Sequence, residues 1–161
     1  HSATVNHGGG LRKQRERVWA NPVHWAHALT GGLSGGAPLP VELACEIFST
    51  SGTYGHIPPM AEVPVLDAMA VRTPGGEVVI TLVHRGAACG EVALDLEVAG
   101  FEAAAEAEVA TLAAATWHER NTLEAPDRVA PVASRAAMTD GRRLHLAVAP
   151  FSLTRLTLRP R

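Results

Sequence analysis

A succession of short apolar segments, separated by turn-forming residues, constrains the fold of this chain more than any other feature. Most segments are about five to nine residues long and are enriched in Val, Leu or Thr. They lie at residues 41–48, 63–71, 77–85, 91–98, 107–112, 128–133, 144–149 and 153–158. Turn residues such as Gly75-Gly76 and Asp140-Gly141 recur at intervals of roughly 8 to 12 residues. This spacing predicts a mainly β fold, an antiparallel β-sandwich of the jelly-roll-like kind.

Alternation of apolar and polar residues supports strands near the C-terminus. Leu144, Leu146 and Val148 fall on one face of an extended chain. Leu153 shares a face with Leu156 and Leu158 only if a bulge shifts the register. The Ala- and Glu-rich segment 101–115 has high helix propensity, so a helix is the alternative there. We favour a strand, because the neighbouring segments are strands and a fixed register overrides propensity.

The N-terminal quarter has a different pattern. Apolar residues between Leu11 and Leu29 recur near a period of 3.6 among Arg and Lys, which predicts a helix. Pro22 interrupts this pattern, so Asn21 should cap a second helix that begins at Pro22. Residues 31–40 are rich in Gly and Pro and predict a loop or linker.

Charge and composition exclude several classes of partner. Lys and Arg number 14 against 16 Asp and Glu, a net charge of -2, so nucleic acid and anionic membranes are not expected. No apolar run approaches the roughly 20 residues of a membrane span, and no signal-peptide pattern is present. Cys45 and Cys89 predict buried free thiols. Because His1 leads directly into structured-looking sequence, we expect a piece of a longer protein, with a bacterial cytoplasm as its expected location.

Two motifs resemble parts of known sites without the context these sites need. The run from His7 to Gly10 matches an oxyanion loop, and Gly32-Leu33-Ser34-Gly35-Gly36 matches a nucleophile elbow. An elbow serine needs a buried strand before it and a helix after it, whereas Ser34 follows a helix and precedes a Pro-rich stretch. A flexible Gly-rich loop is the better interpretation, and an esterase is not expected.

Metal and cofactor sites are not expected either. His24 and His27 lie three residues apart, on one face of a helix, but no nearby carboxylate or cysteine completes a ligand set. The basic run from Arg12 to Arg17 contains Glu16 and is interpreted as a solvated face.

Sugar hydrolysis needs two carboxylates, one acting as an acid and the other as a nucleophile or base. The carboxylates near predicted strand ends and turns are Glu42, Glu46, Glu62, Asp67, Glu119, Glu124, Asp127 and Asp140. None lies in a motif that places it in an active site, so we predict no catalytic residue in this chain.

The order of several sequence phrases resembles the C-terminal part of family 51 α-L-arabinofuranosidases. The phrases are HSATVNHGGGLRK at 1–13, ANPVH at 20–24, VPVLDA at 63–68, the strand 79–85, NTLEAPDRVAP at 121–131 and PFSLTRL at 150–156. Members of the family often have Asn at the position of His84. Better-known members also carry a Gln three residues before the Asn that matches Asn6, where this chain has Ala3.

The resemblance implies a fold and a role for the chain. Residues 1–40 would supply the last strand and helix of a catalytic (β/α)₈ barrel plus a linker, and residues 41–161 the C-terminal β-sandwich. The parent would be a retaining α-L-arabinofuranosidase that acts on arabinan or arabinoxylan, with both catalytic glutamates upstream. Asn6 and His7, at the C-terminal end of the barrel strand, would be the only residues here close to substrate.

The partners implied are the upstream barrel of the same protein and an arabinose-containing oligosaccharide or polysaccharide, with a homo-oligomer possible. The alternative is a non-catalytic carbohydrate-binding or structural β-sandwich module. Sugar binding usually uses exposed aromatic rings, and Trp117 and Tyr54 are the plausible platforms in the sandwich region.

Overall fold

Eight antiparallel strands form one curled sheet that carries a short hairpin and a helix on its N-terminal side. The computed structural model describes residues 5–6, 10–53, 55–86 and 90–161. The elements are β1 (Leu11–Gln14), β2 (Arg17–Ala20), α1 (Pro22–Gly31), β3 (Ala37–Leu39), β4 (Ile47–Phe48), β5 (Val63–Pro64), β6 (Leu66–Arg72), β7 (Val78–His84), β8 (Val92–Glu97), β9 (Glu106–Ala113), β10 (Val132–Thr139), β11 (Arg143–Val148) and β12 (Ser152–Leu158). The mainly β prediction is confirmed.

The strand order in the large sheet is β3-β6-β7-β12-β9-β10-β11-β8. The sheet bends sharply at strand β10. Residues 132–137 of this strand pair with β9, whereas Met138 and Thr139 pair with β11. Strands β11 and β8 thereby fold back over the rest of the sheet and enclose the core between two layers. Leu144 and Val148 of β11, both 0% exposed, belong to the same core cluster as Leu66, Ile80 and Leu156. This curled sheet is the sandwich-like arrangement that the segment spacing predicts.

The Ala-rich segment is strand β9 rather than a helix. Ala107 and Val109 are buried and alternate with the exposed Glu106 and Glu108, a period of two. Strand β9 is paired on both sides, with β12 and β10, and this pairing overrides the helix propensity of its alanines.

Strand β12 runs without a bulge, so the shared face expected for Leu153, Leu156 and Leu158 is wrong for Leu153. Its seven residues pair continuously with β7. The core side carries two polar residues, Ser152 and Thr154, together with Leu156 and Leu158. The Ser152 hydroxyl donates to the Ala149 carbonyl at 2.6 Å, and the Thr154 hydroxyl lies 3.4 Å from that of Thr111. These bonds allow polar side chains to occupy positions that the sequence pattern assigned to leucine.

The predicted helix over residues 11–29 is wrong for its first half. Residues 11–20 form the β1–β2 hairpin, with Leu11 opposite Ala20 and Arg15 in the turn at φ 53°. The only helix among the described residues is α1, and it begins at Pro22 with Asn21 at the N-cap position, as predicted, but the Asn21 side chain makes no capping hydrogen bond. Within the described ranges, no helix is long and apolar enough to cross a membrane.

Two predicted strands have the wrong limits. Of residues 41–48 only Ile47–Phe48 is a strand, and it pairs with β5 outside the large sheet. Of residues 128–133 only the last two belong to β10, which continues to Thr139. Strand β3 was predicted as part of a linker, yet it pairs with β6 at one edge of the large sheet. The structure also gives Cys45 as a free thiol packed against the core, while Cys89 lies outside the described residues.

Candidate functional site

The predicted substrate-proximal residue Asn6 lies in a tight turn before the hairpin. Its backbone has φ 59°, a left-handed conformation that Asn tolerates better than most residues. The side-chain oxygen accepts from the Lys13 backbone N–H at 2.8 Å, and the side-chain nitrogen donates to the Lys13 carbonyl at 3.2 Å. Both polar atoms of the Asn6 side chain are therefore hydrogen-bonded to strand β1 of the hairpin. His7, the other predicted residue, lies outside the described residues, as do His1 and Tyr54.

Replacing Asn6 with alanine should lower the free energy of unfolding by about 1 to 2 kcal/mol, since both exposed bonds are lost and alanine is strained at φ 59°. Chemical denaturation checks this. Asn6→Gly is the matched control, because glycine keeps the conformation and loses only the hydrogen bonds. Equal losses in the two variants would contradict a contribution from the backbone conformation.

Helix α1 lies over the outer side of the large sheet, close to β9 and β12. The Arg155 guanidinium donates to the Leu29 carbonyl at 3.1 Å, near the C-terminal end of the helix, where carbonyls lack helical partners. Trp25 on the same helix is half-buried, and its indole N–H is buried without a hydrogen-bond partner among the described residues. Trp19, in the segment before Pro22 that was predicted to be helical, lies on β2 instead, and its indole N–H donates to the Asn121 carbonyl at 3.2 Å.

Beside the helix, the outer face of β12, β9 and β10 forms an open groove of about 520 Å³, with Glu77 at its edge. Two of its three arginines are paired with carboxylates. Arg159 pairs with Glu108 at 3.0 Å and with Glu77 at 3.6 Å, and Arg135 pairs with Glu106 at 2.9 Å. The third arginine of the groove, Arg155, has no carboxylate partner and donates to the Leu29 carbonyl instead. The described side chains of the groove offer no pair of free carboxylates.

The eight carboxylates considered from the sequence are dispersed over the surface. Seven are exposed, and Asp67 pairs with Arg85 at 2.9 Å. Glu119, the half-buried one, pairs with Arg128 at 2.7 Å. Acid–base hydrolysis of a glycoside needs two facing carboxyl groups in a cleft, with one in an environment that keeps it protonated. The structure brings none of these carboxylates into such a setting.

Within the described part of the chain, His24 and His27 belong to no metal cluster. His24 makes an edge-to-face contact with the Trp25 ring at 5.4 Å. Among the described residues, no group of three His, Cys, Asp or Glu side chains lies close enough to hold a metal ion. Ser34 follows the helix and precedes β3, which is the context that argued against a nucleophile elbow.

The segment between β9 and β10 is held by one buried amide, that of Asn121, which is 4% exposed. Its side-chain nitrogen donates to the carbonyls of Ala20 at 2.7 Å and Val129 at 2.8 Å, and its oxygen accepts from the Val129 N–H at 2.7 Å. Asn121 thus joins the end of the hairpin to the C-terminal end of its own loop. Sequence reasoning marked the phrase 121–131 as characteristic, but it did not identify this role, because nothing in a loop sequence shows which polar residue is buried.

Exposed rings are scarce in the described part of the molecule. Trp117, in the same loop, is 75% exposed, the highest value among the large apolar residues described. Its ring lies on that of His118, with centroids 3.6 Å apart and planes inclined by 32°.

Comparison with known families gives a match over most of the chain. The family model described as the alpha-L-arabinofuranosidase C-terminal domain matches residues 4–152. A search of curated proteins finds no match.

Several solved structures share the fold. The GH51 arabinofuranosidase from Xanthomonas axonopodis pv. citri is 24% identical with a TM-score of 0.80, over 96% of this chain and 30% of that one. The thermostable GH51 alpha-L-arabinofuranosidase from Thermotoga petrophila RKU-1 is 22% identical with a TM-score of 0.83, over 96% of this chain and 32% of that one. The alpha-L-arabinofuranosidase from Thermotoga maritima, in an arabinose complex, is 22% identical with a TM-score of 0.81, over 95% and 32%.

This chain therefore spans about a third of the length of each of these structures. Their likeness to it concerns the fold, whereas the family match rests on the sequence itself and extends over residues 4–152. With that match covering nearly all of its length, the chain belongs to the alpha-L-arabinofuranosidase C-terminal domain family.

Proposed function

We propose that this chain is the C-terminal part of a retaining α-L-arabinofuranosidase. The longer protein hydrolyses terminal α-L-arabinofuranosyl groups in arabinan or arabinoxylan, by a double displacement with two glutamates upstream of this region. The observation that carries the proposal is the family match over residues 4–152. The similar fold of three arabinofuranosidases, each about three times as long as the matched region, supports it.

In this proposal the chain has two parts with different roles. Residues 1–40 contribute to the wall of the catalytic barrel and its linker, and residues 41–161 form the accessory sandwich that packs against the barrel. The half-buried Trp25, with its unpaired indole N–H, supports a contact beyond the described residues, because a buried donor without a partner costs free energy that an acceptor on a neighbouring domain would recover. Strand β3, just before the proposed boundary, links the two parts by pairing with β6.

Asn6 and His7 are proposed to lie at the rim of the substrate cleft. The side chain of Asn6 is hydrogen-bonded to the Lys13 backbone, so in this proposal its contribution is to fix the backbone at residue 6. An arabinan or arabinoxylan chain is uncharged, which agrees with the small net charge of -2.

The decisive experiment compares this chain with the longer protein on 4-nitrophenyl α-L-arabinofuranoside. We expect hydrolysis by the longer protein and none by the 161-residue chain, because the dispersed carboxylates here form no acid–nucleophile pair. Release of 4-nitrophenol, followed by its absorbance, measures both.

The other outcomes have distinct meanings. Hydrolysis by the 161-residue chain would show that a catalytic carboxylate pair lies within it. Hydrolysis by neither protein would contradict the arabinofuranosidase assignment. The anomeric configuration of the first product, read by NMR, tests the retaining mechanism separately.

A further inference from the structure

The loop between β9 and β10 presents one aromatic ring to solvent in a fixed orientation. Trp117 is 75% exposed, and burying such a ring is worth more than burying almost any other side chain. Among the described residues, the ring that contacts it is that of His118, whose centroid lies 3.6 Å away. The imidazole covers one face of the indole, so the opposite face is open to a ligand.

Two features hold this ring in place. The Glu119 N–H donates to the Thr116 carbonyl at 3.3 Å, which closes a turn with Trp117 and His118 at its two central positions. Glu119 then binds Arg128 through two contacts, 2.7 Å from Nε and 3.1 Å from Nη2, a bidentate pair that joins the two sides of the loop. A platform ordered before binding loses little further conformational entropy when a ligand arrives.

The surroundings of the ring are polar. Thr116, His118 and Arg120 are exposed beside it, and no large apolar residue flanks it in the turn. The cores of protein interfaces are depleted in charged residues and gather several apolar ones, which is not the arrangement here. A ring with one open face, surrounded by hydrogen-bonding groups, suits a ligand that has an apolar C–H face and a rim of hydroxyls.

We propose that Trp117, supported by His118, is an accessory binding site for a pyranose ring in the backbone of a neutral polysaccharide. Resting on the proposed arabinofuranosidase function, the site takes the xylopyranose backbone of arabinoxylan rather than the furanose backbone of arabinan. A pyranose chair with equatorial substituents offers a flat C–H face to an indole, whereas a furanose ring is smaller and puckered. The site retains the polymer while the upstream barrel removes its arabinofuranosyl branches.

The location of the loop agrees with this role. Through Asn121 the loop is bonded to Ala20 at the open end of the hairpin, where Leu11 pairs with Ala20 and also bridges to Val5. The turn that carries Asn6 is thus part of the same body as the Trp117 loop.

The test is the affinity of the 161-residue chain for soluble arabinoxylan, measured by affinity gel electrophoresis, with debranched arabinan and dextran run in parallel. We expect binding to arabinoxylan, with the dissociation constant raised about tenfold in Trp117→Ala and less in Trp117→Phe, which keeps a ring. Met69→Ala is the matched control, since Met69 is 45% exposed on β6, three strands away from β9. Its affinity should equal that of the unaltered chain.

Several results would overturn the proposal. They are no binding to arabinoxylan, equal binding by Trp117→Ala, or a Trp117-dependent affinity for arabinan as strong as that for arabinoxylan. A lower melting temperature of the longer protein on Trp117→Ala, with arabinoxylan binding unchanged, would assign the ring to a contact with the barrel instead.

The binding assay involves no hydrolysis, so its result is independent of the proposed enzymatic function. In the longer protein, Trp117→Ala should raise KM for arabinoxylan several-fold and leave hydrolysis of 4-nitrophenyl α-L-arabinofuranoside unchanged. Failure of the unaltered longer protein to hydrolyse the chromogenic substrate would reject the enzymatic assignment. An unchanged KM for the polymer in an active enzyme would reject only the accessory site.

Discussion

Alanine in place of Asn121 should lower the free energy of unfolding by about 3 kcal/mol. The substitution removes three hydrogen bonds of 2.7 to 2.8 Å and leaves the Val129 N–H and the carbonyls of Ala20 and Val129 without that partner. Val129 itself is 4% exposed, so water cannot readily replace the amide. Buried backbone groups left unpaired account for most of the loss. Urea denaturation followed by circular dichroism measures it.

Thr122→Ala is the neighbouring control. The Thr122 hydroxyl accepts a single hydrogen bond, from the Ala125 N–H at 3.2 Å, in a half-buried position of the same loop. Its loss should cost about 1 kcal/mol or less. Similar costs for the two substitutions would mean that Asn121 contributes no more than an ordinary turn residue. A large loss only at Asn121 would identify it as the link between the hairpin and the large sheet.

Strand segments were predictable from sequence where their pattern is local. Segments 77–85, 91–98 and 144–149 correspond to β7, β8 and β11 within one or two residues, because alternation or a continuous Val- and Leu-rich run marks them directly. The start of α1 was predictable as well. Pro at the first helical position and Asn before it form a local signal that does not depend on the rest of the fold.

The hairpin was not predictable in the same way. Its residues have an apolar spacing close to 3.6 and helix-favouring Arg and Lys, so the local signal favours a helix. Contacts from far along the chain decide otherwise: Asn121 binds the Ala20 carbonyl and the Trp19 indole N–H, 101 and 102 residues away in sequence. Most of strand β10 was missed for a related reason, since its Ser-Arg-Ala-Ala run becomes a strand only by pairing with β9 on one side and, at its end, with β11 on the other.

The candidate site residues also differ in how far the sequence alone could predict them. Trp117 was identifiable from sequence as one of few aromatic rings in the sandwich region, but its exposure and its stacking on His118 depend on a turn that the sequence alone does not specify. Asn6 was placed by resemblance, and that placement remains a prediction. The two hydrogen bonds between the Asn6 side chain and the Lys13 backbone could not be predicted, because they depend on the β1–β2 hairpin, where the sequence pattern favours a helix.

Phe151, in the phrase PFSLTRL at 150–156, packs against Gly86, two residues after the end of β7. Gly86 has φ +64°, and a Cβ placed there would overlap the ring of Phe151. Phe151 itself has φ 50°, so the turn before β12 directs its ring onto the Gly86 backbone. The Gly86 N–H also donates to Nδ1 of His84 at 3.0 Å, which leaves the proton of this buried imidazole on Nε2, facing the Gly90 carbonyl at 3.0 Å.

Gly86→Ala should therefore lower the free energy of unfolding by about 3 kcal/mol, the sum of a left-handed alanine and an overpacked contact with Phe151. Gly100→Ala separates the two causes, because Gly100 has φ +68° and none of the described atoms lies within 4 Å of the position that an alanine Cβ would take. Gly100→Ala should lower the free energy of unfolding by only about 1 kcal/mol. Chemical denaturation of both variants measures the difference. Equal losses of stability would show that the Phe151 ring moves aside without cost. The requirement for glycine at position 86 would then come from its backbone conformation alone.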